Sequence, residues 1–232
     1  MARLHERGYR TISLPEAVEF LHQRLPFPER SLVLTFDDGY QTIYDVALPT
    51  LQRYGMSATV FITVGKKRTA RASGQLPPLG QHSMLSWEMI REMRRHAIIF
   101  GAHTLTHPDL TRLPFEQAKS EIVDSKAMLE DVLSAPVTCF AYPYGRYNHP
   151  LRELIRQHFV CACSDQFGLI TSKNDLFALE RVDACYFRKD RLFGMTSTRL
   201  FPWYVRTRRI PISIRRAVQR SLRRVSEEVP AA

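Results

Sequence analysis

The strongest constraint on this chain is a repeated alternation of short apolar runs with longer segments of helical pattern. Runs at 31–36 (SLVLTF), 58–64, 97–101, 137–141, 159–163 and 177–182 have the length and apolar continuity of buried strands. Between them lie a helical stretch at 42–54 that Pro49 should kink or restart, a helix capped by Ser86 and running to about 95, and another at 149–157. The clearest helix spans 114–134, with Phe115, Ala118, Ile122, Ala127, Leu129 and Leu133 near one face. Residues 65–84, rich in Gly, Pro, Ser and Lys, read as an exposed loop. Strands separated by helix-length crossovers pair in parallel, so the pattern predicts an α/β fold around a parallel sheet. It leaves open whether that sheet is doubly wound or closed into a barrel.

At 232 residues, with 44% hydrophobic and 24% charged side chains, the chain can bury a substantial core and resembles neither a disordered nor a fibrous protein. No stretch approaches the roughly 20 apolar residues of a membrane helix. The opening residues lack an apolar signal core, which predicts a soluble, unexported, cytoplasmic protein. The net charge of +10 is concentrated: residues 206–224 hold eight arginines and no acid, leaving the rest near +2. A basic face spread over the fold is absent, so nucleic acid is not expected as a partner. If 211–225 is helical, Ile214, Val218, Leu222 and Val225 form one stripe, with Pro211 in the first turn. Such a tail fits peripheral membrane contact, packing of the stripe on the barrel, or attraction to an anionic polymer. Cys139, Cys161, Cys163 and Cys185 sit in apolar runs without a C-x-x-C pair, the pattern of small buried residues in a reducing compartment.

Three polar clusters each follow a predicted strand: Asp37-Asp38-Gly39-Tyr40, His103-Thr104-Leu105-Thr106-His107, and Tyr142-Pro143-Tyr144-Gly145. Reactive groups at the carboxyl ends of several different strands favour a barrel over a sheet with one crevice. His103 and His107, four apart, would face the same way on a turn of helix and could converge on one metal. With one carboxylate they would leave a fourth position for water, as in a hydrolytic site. Asp37 and Asp38 point to opposite sides of an extended strand, so one can bind metal while the other takes a proton from water. Helix capping by Asp38 beside a solvated Asp37 is the alternative for that pair.

Together, Thr35-Phe36-Asp37-Asp38-Gly39-Tyr40, the H-T-L-T-H cluster and Phe140-Ala141-Tyr142-Pro143-Tyr144-Gly145 resemble the first three motifs of the polysaccharide deacetylases. This is carbohydrate esterase family 4, with its NodB-homology domain, and the six-residue third motif is closest to its exopolysaccharide (poly-N-acetylglucosamine) branch. The resemblance runs from about Gly8 to Asp183 and includes Ala58-Thr59-Val60-Phe61 and Leu85-Ser86-Trp87. It implies a distorted (β/α) barrel of the polysaccharide deacetylase type and metal-dependent hydrolysis of N-acetyl groups on an N-acetylglucosamine-containing polysaccharide. Asp37 then matches the base; Asp38, His103 and His107 match the ligands of a divalent metal, in the first instance Zn2+. Tyr144 matches the residue whose backbone N–H helps hold the oxyanion; Thr104, beside His103, is expected to be a structural support rather than a reactant.

Two family features have no counterpart. Ala141 stands where many members carry an arginine that pairs with the catalytic Asp. No histidine follows His158, so the late L-x-H acid is missing, and His22, His82 and His158 match no motif position. Arg181, at the end of the last predicted strand, is the candidate to orient Asp37 in place of the missing arginine; pairing with Glu180 or Asp183 is its alternative. The expected organisation is a deacetylase domain over 1–200 and a basic tail over 201–232. A glycan-binding barrel without turnover and a deacylase of a small N-acyl molecule are the rival functions. Oligomeric state is not encoded in any of these features.

Overall fold

The computed structural model describes residues 1–65, 76, 82–187, 190–196 and 198–208; the 211–225 stripe and most of the 65–84 loop lie outside them. The described residues divide into two compact units, 1–165 with 171–179, and 166–170 with those from 180 to 208.

The first unit opens with α1 (Ala2–Glu6), β1 (Arg10–Thr11) and α2 (Leu14–His22), none of them foreseen from the sequence. Ser13 and Glu16 form a reciprocal capping box at the start of α2. The expected strand at 31–36 is two strands: β2 (Ser31–Leu32) pairs with β1, whereas β3 (Thr35–Phe36) joins the main sheet. A π-helical turn at Ile43–Ala47 then gives way to α3 (Leu48–Arg53), so Pro49 stands in the first turn of a new helix. Here its missing N–H costs nothing.

The main sheet runs β3, β4 (Ala58–Ile62), β5 (Ile98–Ala102), β6 (Cys139–Ala141), β7 (Cys161–Phe167) and β8 (Leu179–Arg181), and its spatial order is its sequence order. The pairings from β3 through β7 are all parallel. No strand reverses that order, so there is no switch point of the doubly wound kind. A sheet wound in one direction curls, as the barrel expectation requires. The crossovers from β3 to β7 carry α3, α4 (Trp87–Met93), α5 (Phe115–Leu133) and α6 (His149–His158), with α4 and α6 capped by Ser86 and Asn148. The core is apolar and tightly closed: Val60, Phe61 and Ile62 of β4 and Ile122 and Leu129 of α5 have no measurable exposure. Three of the four cysteines are buried as expected, with Cys139 and Cys161 opposite each other across β6 and β7. Cys185 is exposed, because it lies in a 3-10 turn (Ala184–Phe187) rather than in a strand.

The second unit has its own small apolar cluster of Phe167, Phe187 and Val205, with Leu169, Tyr186, Phe201 and Tyr204 packed against it. It contains α7 (Asp190–Met195) and a further helical segment at 201–208. Among the described residues no helix is long and apolar enough to cross a membrane.

Candidate metal centre

Three strand ends deliver the three motifs. Asp38 follows β3, His103 follows β5 directly, and Tyr144 sits in a 3-10 turn (Pro143–Gly145) just after β6. Asp38 Oδ1 lies 3.4 Å from His103 Nε2 and 3.3 Å from His107 Nε2, and the two Nε2 atoms are 3.1 Å apart. Asp38, His103 and His107 are the group of ligand-type side chains that converges in this way among the described residues.

The chemistry of this set follows from one hydrogen bond. His103 Nδ1 is 2.7 Å from the carbonyl oxygen of Ala141, which can only accept, so Nδ1 carries the proton. In the neutral ring, Nε2 is then a lone pair facing another imidazole nitrogen and a carboxylate oxygen. Three acceptors at such distances need a proton or a cation among them. Asp38 responds to this environment. Burial pushes its carboxyl upward, but the hydrogen bonds and charge that His103 and His107 supply when protonated outweigh it, holding the group well below the usual carboxylate range. A buried imidazole, a half-buried imidazole and an ionised carboxylate fit a divalent metal of borderline character.

The histidines do not lie on a helix, as their spacing had suggested. The chain from His103 to His107 is irregular, with Thr104 at φ 70° and His107 at φ 58°. Left-handed backbone at two non-glycine residues costs about 1–3 kcal/mol each and persists only where the surroundings over-determine it. Here they do. The parallel ladder continues past β4 and β5: His103 N–H donates to Ile62, Val64 N–H to Thr104 and Gly65 N–H to Leu105. Thr63 donates its hydroxyl to the His103 carbonyl, and Thr104 Oγ1 accepts from His107 N–H at 3.0 Å, the support expected of it. On the other side the buried Glu121 of α5 accepts from Leu105, Thr106 and the Thr106 hydroxyl.

Asp37, half-buried, precedes the left-handed Asp38, and its carbonyl accepts from Gly39 N–H. The chain thus turns sharply between the two aspartates. Tyr144 is itself left-handed (φ 56°) and more than half exposed; its ring stands edge-on to His107 at 4.7 Å between centroids. Arg146 lies over the Tyr144 ring and pairs with Asp109, tying the turn after β6 to the segment after His107. Burial raises the Tyr40 hydroxyl pKa, and the negative Asp38 carboxylate, which it hydrogen-bonds, raises it further. Arg181 is half-buried at the end of β8, in the second unit, where its carbonyl accepts from Gly168 N–H.

Sequence reasoning missed Glu121, Arg146 and the Ala141 carbonyl. Glu121 left a readable trace, a carboxylate among Ala118, Ile122 and Ser125 on the buried face of α5. The Ala141 carbonyl left none, because every residue type has one.

Comparison with known proteins places this geometry in context. The family model described as polysaccharide deacetylase matches residues 24–160. The Bacillus subtilis protein YxkH is 33% identical over 183 residues, which are 78% of this chain and 61% of that one. The poly-β-1,6-N-acetyl-D-glucosamine N-deacetylase of Escherichia coli is 32% identical over 108 residues, 44% of this chain and 16% of that one. The chain therefore spans less than two thirds of either relative. Among solved structures, Streptococcus pyogenes deacetylase PplD in complex with acetate superposes with a TM-score of 0.70 at 27% identity, covering 78% of this chain and 76% of that one. The expected barrel fold is the fold found.

Gly145 tests how tightly the turn after β6 is built. A Cβ there would lie 2.2–2.3 Å from Asp165, including its backbone nitrogen, at a φ of +62°. Gly55 has a similar φ, +59°, with nothing within 4 Å. Denaturant unfolding should therefore show Gly55→Ala losing about 1–2 kcal/mol, the left-handed cost alone. Gly145→Ala should lose clearly more; equal losses would show that the Asp165 contact is soft.

Proposed function

The chain belongs to the polysaccharide deacetylase family, and we propose that it hydrolyses N-acetyl groups of an N-acetylglucosamine-containing polysaccharide, releasing acetate. The observation that carries this reading is the convergence of Asp38, His103 and His107 one residue from a second carboxylate, Asp37. A site built only to bind glycan has no use for that pairing. The poly-N-acetylglucosamine deacetylase among the relatives supports an exopolysaccharide substrate.

A divalent ion held by the three ligands, with Zn2+ the best match to their chemistry, would supply Lewis acidity, acidifying water and polarising the acetamide carbonyl. The chain's own residues do the rest. The Ala141 carbonyl keeps His103 in the tautomer that offers Nε2. Asp37 takes the proton from the attacking water. Tyr144, fixed by its left-handed turn and by contact with His107, offers its backbone N–H to the oxygen that becomes negative.

The test is acetate release from N-acetylglucosamine oligomers. Parent protein should release acetate, lose that activity to a chelator and regain it with zinc. Asp37→Asn should lose about 10²–10⁴ in kcat while still holding metal, since only proton transfer is removed. Binding of the oligomers without acetate release would overturn the enzymatic reading, and near-parental turnover in Asp37→Asn would reassign the base.

A further inference from the structure

We propose that Glu121 is a positioning residue for the metal ligands, setting metal affinity through the loop that joins His103 to His107. The inference rests on the metal-site reading above and extends it to a residue outside the three motifs.

Glu121 is 7% exposed, on a helix face otherwise made of Ala118, Ile122, Ser125 and Leu129. A carboxylate in that position must have its oxygens satisfied, and the satisfaction comes from one place. Leu105 N–H and Thr106 N–H both donate to Oε2, at 3.0 and 2.8 Å, and the Thr106 hydroxyl donates to Oε1 at 2.7 Å. Two successive peptide N–H groups aimed at one anion form the concave nest that backbone makes when its conformation alternates in hand. The flanking residues are the two left-handed ones, Thr104 and His107. Glu121 therefore grips the middle of a strained turn whose two ends carry the imidazoles.

The ladder from 62–65 holds the first part of this loop, and the Thr104 hydroxyl closes it at His107. Neither of these contacts satisfies the N–H groups of Leu105 and Thr106. Without Glu121 the buried Leu105 N–H would lose its acceptor and the Thr106 N–H would turn to solvent, so the turn would relax. His107, at the far end of the turn and less buried than His103, would move first. Losing partners that orient metal ligands costs about 10–100-fold in metal affinity.

The test is zinc affinity of the apo-protein, read by competition with a chromogenic chelator alongside thermal unfolding. Glu121→Ala should weaken zinc binding at least tenfold. Glu121→Gln should stay within about threefold of the parent, because its amide oxygen can still accept both N–H groups and the Thr106 hydroxyl can rotate to accept from its NH2. Ser125→Ala is the control: the same buried helix face, with a hydroxyl that bonds only the Ile122 carbonyl. It should lower thermal stability and leave zinc affinity unchanged. If Glu121→Ala does not fold, Thr106→Val removes one of the three bonds and should weaken zinc binding measurably. Parental affinity in Glu121→Ala or Thr106→Val would overturn the proposal, as would equal losses in Ser125→Ala or a Gln variant as damaged as Ala. A parent protein that binds no zinc would overturn the metal reading itself, a result distinct from all of these.

Discussion

One ring nitrogen of His103 is committed to the Ala141 carbonyl at 2.7 Å, and that bond decides what the other nitrogen can do. With Nδ1 protonated, the neutral ring presents Nε2 as an acceptor toward Asp38 and His107, themselves acceptors. The cluster is stable only with a proton or a cation shared among its atoms. Everything around it serves to keep the three groups close despite that. The sheet supplies rigid strand ends, the ladder beyond β4 and β5 fixes the start of the loop, and the buried side chains of Thr63, just after β4, and Glu121 of α5 hold the rest.

The same logic explains half of the backbone strain among the described residues, the rest lying at Arg24, Arg30, Ala97 and Ser134 away from the site. Asp38, Thr104, His107 and Tyr144 are all left-handed non-glycine residues, and all four belong to the three motifs. Turning sharply at a strand end aims a side chain back across the sheet's carboxyl edge instead of letting it alternate along the strand. A regular helix or strand could not bring an aspartate, two histidines and a peptide N–H from three strands together. Neighbouring hydrogen bonds hold each strained residue, so the cost falls on the fold as a whole.

Much of this was legible in the sequence, and the exceptions have physical causes. The three motifs could be read because each is contiguous and each follows an apolar run, and the 114–134 helix was located within a residue at either end. The split of 31–36 into β2 and β3 was invisible, since strands of two residues carry no periodicity. The H-T-L-T-H segment read as a helical turn because i, i+4 spacing serves a helix equally well, and left-handed Thr104 has no signature in sequence. Ala141, marked only as the site of a missing arginine, contributes through its backbone, which no side-chain pattern reports. Glu121 showed only as a carboxylate on the apolar face of α5, and its role could not be read because its partners are peptide N–H groups 16 and 15 residues away.

X-ray absorption of the zinc-loaded protein tests the central claim most directly. The account predicts one zinc per chain in an all nitrogen and oxygen environment, with two imidazoles at about 2.0–2.1 Å and no sulfur. Loss of one imidazole from the spectrum in His107→Ala would assign that ligand. Sulfur scattering, or a zinc environment unchanged by His107→Ala, would contradict the account.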